Sequence, residues 1–437
     1  MTRCSRLLTL IVGALGSPLF AQPWEALPAD PYFSTYKLVQ APPGKEPLLK
    51  EGDKLAICGD SITEQKMYSR IMETYLTACV PQLHVTVRQF GWSGEQAPGF
   101  LARMENDVLR FAPTVATTCY GMNDHRYQPY QEEFARRYRE ASLAVIELFK
   151  KQNVRVIQGS PGTVGKMPAW VQQARGTVED LNHSLAQFRN VGLELATERQ
   201  VGFADVFRPM LVGGFEAKQR YGNDYMIAGK DGVHPGWAGH LVMAYAFLKA
   251  MGLDGEIGTI MLDMAGGKAT ASEGHHVLAV ESGRVEIESS RYPFCAAGLN
   301  NDDSSIRSGM TLVPFNDQLN RFRLVVRNAP AGRYLVTWGE ASRTYTADEL
   351  AKGVNLAADF EANPFSEAFK RVDEAVAKKQ AYETRQVKDL FHGPEGHVDM
   401  EMTATLTEKA RTPLVDAVRA AFVPVRHTLT VKPESQR

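Results

Sequence analysis

The sequence predicts an α/β protein in its first half, a parallel sheet covered on both faces by helices, followed by a β-rich second body. Three observations carry this expectation. Short apolar runs alternate with segments of helical hydrophobic period from Lys54 to Met251. Polar turn motifs follow the first three of these runs, and a fourth precedes the last helical segment. Near Asp254 the alternation stops and hairpin-like patterns replace it. A length of 437 residues exceeds one ordinary domain of ~100–200 residues, which fits two bodies. Lys and Arg total 49 against 50 Asp and Glu, a net charge of −1, so no electrostatic footprint for nucleic acid is present. No apolar run reaches the ~20 residues needed to cross a bilayer, so no integral membrane segment is expected.

Met1–Ala21 reads as a secretory signal. Arg3 and Arg6 form a basic start, Leu7 to Leu19 an apolar stretch, and no acidic residue precedes Glu25. Cleavage after Ala21 fits a small-residue site and predicts a secreted or periplasmic protein. Residues 22–52 are then an N-terminal extension, and 53–253 the first domain. Lys54–Cys58 predicts a strand. Gln65–Val80, with Met67, Ile71, Met72, Tyr75 and Leu76 at helical spacing, predicts a helix. Val85, Val87 and Phe90 alternate as a strand, and Ala97–Phe111 carries Phe100, Leu101, Met104 and Val108 on one helical face. Thr114–Tyr120 is a short β-branched strand, Phe134–Gln152 a helix, Val154–Gln158 a strand, Val178–Gln200 a helix and Val201–Val206 a strand. Gly236–Met251 closes the series as a helix. Five strands separated by helices indicate a parallel sheet buried on both faces. Such sheets bind ligands beyond the carboxyl ends of their strands.

Residues 254–437 predict a β-sandwich-like domain with an inserted helical pair. Val277–Glu281 and Arg284–Glu288 flank Ser282-Gly283 as a hairpin. Arg321–Arg327 alternates Phe322, Leu324 and Val326 with arginines, and Arg333–Trp338 and Ser342–Thr346 are expected to continue an antiparallel pattern after the turn Asn328–Gly332. His427–Val431 adds a strand. Phe365, Phe369, Val372 and Val376 mark one amphipathic helix, and Leu414, Val418 and Phe422 a second. The charged run Arg371–Arg385 reads as a solvated helix face. Asn300-Asn301-Asp302-Asp303 lacks calcium-loop spacing and reads as a polar turn. A cap over the catalytic pocket, a carbohydrate-binding module and a dimer surface are the open roles for this half.

Four motifs lie at the predicted strand ends or before the closing helix. Gly59-Asp60-Ser61 sets a serine where the backbone N–H groups of a helix start favour developing negative charge. Serine needs a base to act as a nucleophile. Gly91-Trp92-Ser93-Gly94-Glu95 allows close backbone approach to a ligand. In Gly121-Met122-Asn123-Asp124, Asn123 offers an uncharged N–H donor suited to a transient oxyanion. In Asp231-Gly232-Val233-His234-Pro235, a histidine three residues after an aspartate sets Nδ1–H against the carboxylate and leaves Nε2 as a base. Each motif alone also reads as an ordinary turn or helix cap. Their order supplies nucleophile, oxyanion donors, acid and base.

In these four blocks the sequence resembles the SGNH (GDSL-type) hydrolase family, whose Ser, Gly, Asn and His are here Ser61, Gly94, Asn123 and His234, over roughly residues 55–252. The resemblance implies a flavodoxin-like three-layer α/β/α sandwich with strand order 2-1-3-4-5. It implies Ser61 as nucleophile, His234 as base and Asp231 as its partner, with Asp60 outside the triad. It implies an oxyanion hole of the Ser61 and Gly94 N–H groups and the Asn123 side chain. Met122, where many relatives have a second glycine, and Glu95-Gln96 depart from the pattern and bear on pocket shape. No cofactor or metal is expected.

Trp92, Tyr127, Trp170 and Trp237 are candidate substrate-stacking aromatics, and the Gly/Pro-rich loop Gly159–Trp170 is expected to border the pocket. Export, the lack of a long amphipathic lid and these aromatics favour deacetylation of a polysaccharide or oligosaccharide. A lysophospholipase or thioesterase, or a non-catalytic polysaccharide-binding protein on the same scaffold, are the alternatives. Cys58, Cys79, Cys119 and Cys295 would remain after signal removal. Cys58 and Cys119 sit in strand patterns, so buried free thiols are expected.

Overall fold

The computed structural model describes residues 23–42 and 48–434; the secretory signal expected at residues 1–21 lies outside them. The first half runs β1 (Lys54–Gly59), α1 (Ser61–Glu64), α2 (Tyr68–Ala78), β2 (Thr86–Gly91), α3 (Ala97–Asp107), β3 (Val115–Cys119), α4 (Glu132–Lys151), β4 (Arg155–Gly159), α5 (Val178–Arg199), β5 (Gly202–Ala204), α6 (Phe207–Tyr221) and α7 (Trp237–Ala250). The five strands form one parallel sheet in the order β2-β1-β3-β4-β5. This is the flavodoxin-like three-layer arrangement. Side chains alternate across it: Leu55 and Ile57 face a core shared with α2 and α7, while Ala56 and Cys58 face one shared with α3 and α4. Every residue of β3 is buried, as a strand covered on both faces requires.

Helix α6 was not anticipated from the sequence. Pro209 near its start and Gly213-Gly214 in its middle lower local helix propensity. Burial of Phe207, Met210, Leu211 and Ala217 overrides that weak preference. Cys58, Cys79 and Cys119 are buried free thiols, and Cys295 is a half-buried one.

The second half contains β6 (Glu256–Asp263), β7 (Lys268–Ala271), β8 (His275–Glu281), β9 (Arg284–Ser289), α8 (Ile306–Met310), α9 (Phe315–Leu319), β10 (Arg321–Arg327), β11 (Arg333–Trp338), β12 (Ala341–Thr346), α10 (Ala347–Lys352), β13 (Val354–Asn355), α11 (Leu356–Asp359), α12 (Ser366–Arg385), α13 (Pro394–Val398), α14 (Met400–Ala421) and β14 (Val425–Pro433). Two sheets, β13-β10-β6-β7 and β12-β11-β14-β9-β8, pack face to face. Phe322 of the first stacks on Trp338 of the second at 5.4 Å. The β8–β9 hairpin turns on Ser282 and Gly283, both at positive φ, as a two-residue hairpin turn demands.

Two expectations are corrected here. β10 and β11 do not form consecutive antiparallel strands. They lie in different sheets, and β10 pairs in parallel with β6, a strand the sequence had not suggested. Pro330, in the connection between β10 and β11, has no N–H to extend a ladder, and the chain crosses there between the sheets.

The run Arg371–Arg385 is a solvated face only in part: Arg371, Glu374, Lys378 and Arg385 are exposed, but the opposite side is buried. Lys379, Gln380 and Glu383 on α12 are 2%, 0% and 1% exposed. They pack on α2 and on β2, the edge strand of the parallel sheet. An edge strand leaves backbone groups unpaired, and here charged side chains satisfy them. Lys379 Nζ donates to the Val87 carbonyl at 2.8 Å, and the Gln89 N–H donates to Glu383 Oε2 at 3.3 Å. Lys379 also pairs with Glu73 at 3.0 Å and Glu383 at 2.6 Å, and Arg411 pairs with Glu383 at 2.6 Å, so two cations face the two carboxylates inside the interface. A charged run gives no sign in the sequence of a partner some 300 residues earlier.

Candidate active site

The carboxyl ends of β1, β2 and β3 bring the first three motifs together. β1 ends at Gly59, and the chain turns at once into α1. Close packing makes this turn possible: a Cβ on Gly91 would meet the backbone N of Glu64 at 2.2 Å. Asp60 caps α1 by accepting the Ile62 N–H at 3.0 Å, which leaves the Ser61 N–H without an intramolecular partner among the described residues. Asp60 is 2% exposed. Burial, reinforced by Asp124 and Glu95, pushes its carboxyl up to about 7, so it is a structural cap with no geometric link to the histidine.

The histidine reaches this turn from the segment before α7. Asp231 accepts the Val233 and His234 N–H groups on Oδ1, each at 2.9 Å. Its Oδ2 accepts His234 Nδ1–H at 2.7 Å. A carboxylate only accepts, so Nδ1 carries the proton and Nε2 accepts from Ser61 Oγ–H at 2.8 Å. Burial alone would raise the Asp231 carboxyl, but hydrogen bonds from the His234 and Val233 backbone and from the His234 ring hold it below the ordinary carboxylate range. An ionised Asp231 fixes the ring tautomer and favours the imidazolium.

The remaining two predicted donors stand on the loops after β2 and β3, the two strands that pair with β1. Gly94 adopts φ +75°, with open space where a Cβ would stand, and its N–H has no intramolecular partner among the described residues. Asn123 Nδ2 spends one hydrogen on the Glu95 carbonyl at 3.0 Å, leaving its second available. The Asn123 carbonyl accepts from Gln96 Nε2 at 2.9 Å. Glu95 is itself clamped by Arg103 at 2.6 and 2.7 Å and by the Tyr120 hydroxyl at 2.8 Å. The departures at Glu95 and Gln96 therefore tie the second block to the third.

The four predicted aromatics separate. Trp170 is 51% exposed and its ring lies 5.6 Å from that of His234. Its loop borders the site, held by the Gly165 N–H donating to the Gly232 carbonyl at 2.9 Å. Trp92 is half-buried beside Lys388 and His392. Trp237 is half-buried, with the Arg70 guanidinium over its ring at 5.4 Å. Tyr127 is not an open stacking platform: it is 6% exposed, and its hydroxyl donates to Asn123 Oδ1 at 3.1 Å. Burial against Trp170 and His125 puts the phenol to work as a support for Asn123.

Sequence reasoning missed Glu64 and Lys388. Glu64, three residues beyond Ser61 and so on the next turn, accepts the Ser93 N–H and pairs with Lys388 at 2.8 Å. The helical spacing from Ser61 was a usable signal for Glu64. Nothing in the sequence pointed to Lys388. Among the described residues, no cluster of His, Cys, Asp and Glu is arranged to hold a metal ion, and no helix is long and apolar enough to cross a membrane.

Residues 57–242 match the model of the GDSL-like lipase/acylhydrolase family. An acetylxylan esterase from Geobacillus stearothermophilus is 27% identical over 228 residues, 46% of this chain and 95% of that protein. The structure of a gut microbial diltiazem-metabolizing enzyme superposes with a TM-score of 0.69 at 20% identity, covering 90% of this chain and 100% of that one. That likeness extends the shared fold across both halves. Residues 57–242 thus form a GDSL-like lipase/acylhydrolase domain, of the SGNH hydrolase kind, and these likenesses support an ester hydrolase.

Proposed function

We propose that this protein is an exported serine esterase that removes acetyl groups from a polysaccharide or oligosaccharide. The observation that carries the reading is the Ser61–His234–Asp231 chain, with hydrogen bonds of 2.8 and 2.7 Å, together with N–H groups at Ser61 and Gly94 that have no intramolecular partner among the described residues. In this reading His234 Nε2 takes the proton as Ser61 Oγ attacks the ester carbonyl. The oxyanion is held by the Ser61 and Gly94 N–H groups and the Asn123 amide. His234 then protonates the departing sugar hydroxyl, and water repeats the sequence on the acyl-enzyme to release acetate and free Ser61.

Acetyl and glycan specificity are supported by the open setting. Ser61 is half-buried, Gly94 is exposed and Trp170 offers an exposed ring beside His234, which suits a sugar lying across the site. The Geobacillus stearothermophilus acetylxylan esterase adds support for acetyl as the acyl group. The test is hydrolysis of a chromogenic acetate and of longer acyl esters by wild type and Ser61→Ala. We expect loss of turnover in the variant and a steep fall beyond acetyl in wild type; wild-type turnover by Ser61→Ala refutes the nucleophile, and a rise toward long chains refutes the acetyl reading. Export is checked by sequencing the protein recovered outside the cytoplasm, which should begin at Gln22.

A further inference from the structure

Gly91 and Glu95 of the second block are buried, but the two residues between Trp92 and Glu95 are exposed. Gly94 is exposed, sits at φ +75° and has nothing within 4 Å of its Cβ position. A glycine peptide so placed rotates freely unless something else fixes it, and an oxyanion donor is effective only when it is held in place before the reaction. On its C-terminal side the turn is closed by the Glu95 N–H donating to the Trp92 carbonyl at 3.2 Å and by the clamped Glu95 side chain; on its N-terminal side the restraint is Glu64. The Glu64 carboxylate accepts the Ser93 N–H through Oε2, next to the Gly94 peptide. The same carboxylate is gripped by Lys388 Nζ at 2.8 Å to Oε1 and 2.9 Å to Oε2. Lys388 Nζ also lies 5.2 Å over the Trp92 ring, and the His392 ring meets Trp92 edge-on at 4.9 Å.

Lys388 belongs to the C-terminal half. It sits on a single π-helical turn, Gln386–Phe391, between α12 and α13. That turn is anchored independently of the site. Gln386 donates to Thr407 at 3.0 Å and to Glu408 at 2.7 Å, and Phe391 stacks on Phe111 at 6.1 Å. The wider π turn breaks the helical register just where α12 leaves the edge strand, and such turns recur at functional sites. Burial by itself would raise the Glu64 carboxyl, but hydrogen bonds from Lys388 and Ser93 hold it below the ordinary range, so it stays an ionised acceptor.

We propose that Lys388 is a positioning residue for ester hydrolysis: through Glu64 it fixes the Ser93–Gly94 peptide and aims the Gly94 N–H at the oxyanion, which makes the C-terminal helical pair part of the active site. The inference rests on the reading of Ser61 as nucleophile. Two measurements on the full chain test it. In steady-state kinetics, Lys388→Met should lower kcat about tenfold with KM changed less than about twofold, and Lys388→Arg should restore most of the rate. In a Glu64→Gln background the Lys388→Met change should have less than about a twofold effect, because the charge it acts through is gone. In hydrogen–deuterium exchange, a peptide spanning Trp92–Glu95 should exchange at least about fivefold faster in Lys388→Met than in wild type or Lys388→Arg. Unchanged exchange in that peptide overturns the inference whatever the activity, as does an equal kinetic loss in both backgrounds. Failure of the Ser61→Ala test, by contrast, overturns the nucleophile assignment while the exchange result still reports on the clamp.

Discussion

Tyr127→Phe separates two physical roles for one residue. If the ring served as a sugar platform, phenylalanine would keep the stacking face and leave kinetics nearly unchanged. The structure instead gives Tyr127 6% exposure and a hydroxyl that donates to Asn123 Oδ1 at 3.1 Å. Asn123 Nδ2 is bonded on its other side to the Glu95 carbonyl at 3.0 Å, so the amide is held at both ends. Deleting the hydroxyl removes one neutral hydrogen bond, about 1 kcal/mol. If that energy is expressed as lost orientation of the oxyanion donor, kcat should fall about fivefold with KM unchanged. Asn123→Ala removes the donor itself, at about 3 kcal/mol or 10²-fold in kcat. Tyr127→Phe added to Asn123→Ala should then cost nothing further, because the group it supports is absent. The assay is a four-variant cycle on a chromogenic acetate. A raised KM at constant kcat, or an undiminished fivefold loss in the Asn123→Ala background, would refute the supporting role.

Two further predictions concern stability. Lys379→Met should destabilise the protein by about 3–5 kcal/mol in urea titration, because Glu73 would remain buried without its cation and Glu383 would keep only Arg411; a loss below about 1 kcal/mol would show that the interface does not depend on Lys379. In the β-sandwich, Trp338 Nε1–H donates to His427 Nδ1 at 3.1 Å, so His427 Nε2–H must donate to Ser289 Oγ at 2.9 Å, and Ser289 Oγ–H to His275 Nδ1 at 2.8 Å. Burial depresses the His427 pKa to about 3, against an unfolded value near 6.5. The unfolded chain therefore binds the extra proton between those values. Stability from this group is complete above about pH 6.5 and is lost as pH falls toward 3, at up to about 1.4 kcal/mol per unit. His427→Gln should flatten the fall in unfolding free energy between pH 6 and 4 by about that slope, and an unaltered slope would rule the group out.

The sequence by itself determined the parallel sheet, its helices apart from α6 and the four motif blocks, for a local reason. Apolar period distinguishes strand from helix within a few residues, and a serine, an asparagine and a histidine at the ends of such elements carry their chemistry in their side chains, while a glycine there leaves its backbone N–H open to a ligand. The order β2-β1-β3-β4-β5 followed once those blocks were matched to a family. The 2.8 Å approach of His234 to Ser61 was legible only as an expectation, because the two are 173 residues apart in the chain. Tertiary structure alone decided what surrounds them. Tyr127 and Trp170 are both aromatics near strand ends, yet packing buries one beneath Asn123 and leaves the other open beside His234. Lys379 sits in a run of charge that reads as solvent-facing and Lys388 just beyond it, and they are instead held by Val87, Glu73 and Glu64, residues brought close only by folding. A charge announces its sign in the sequence but not its partner; that is set by long-range docking, here of the C-terminal helical pair onto the edge strand β2.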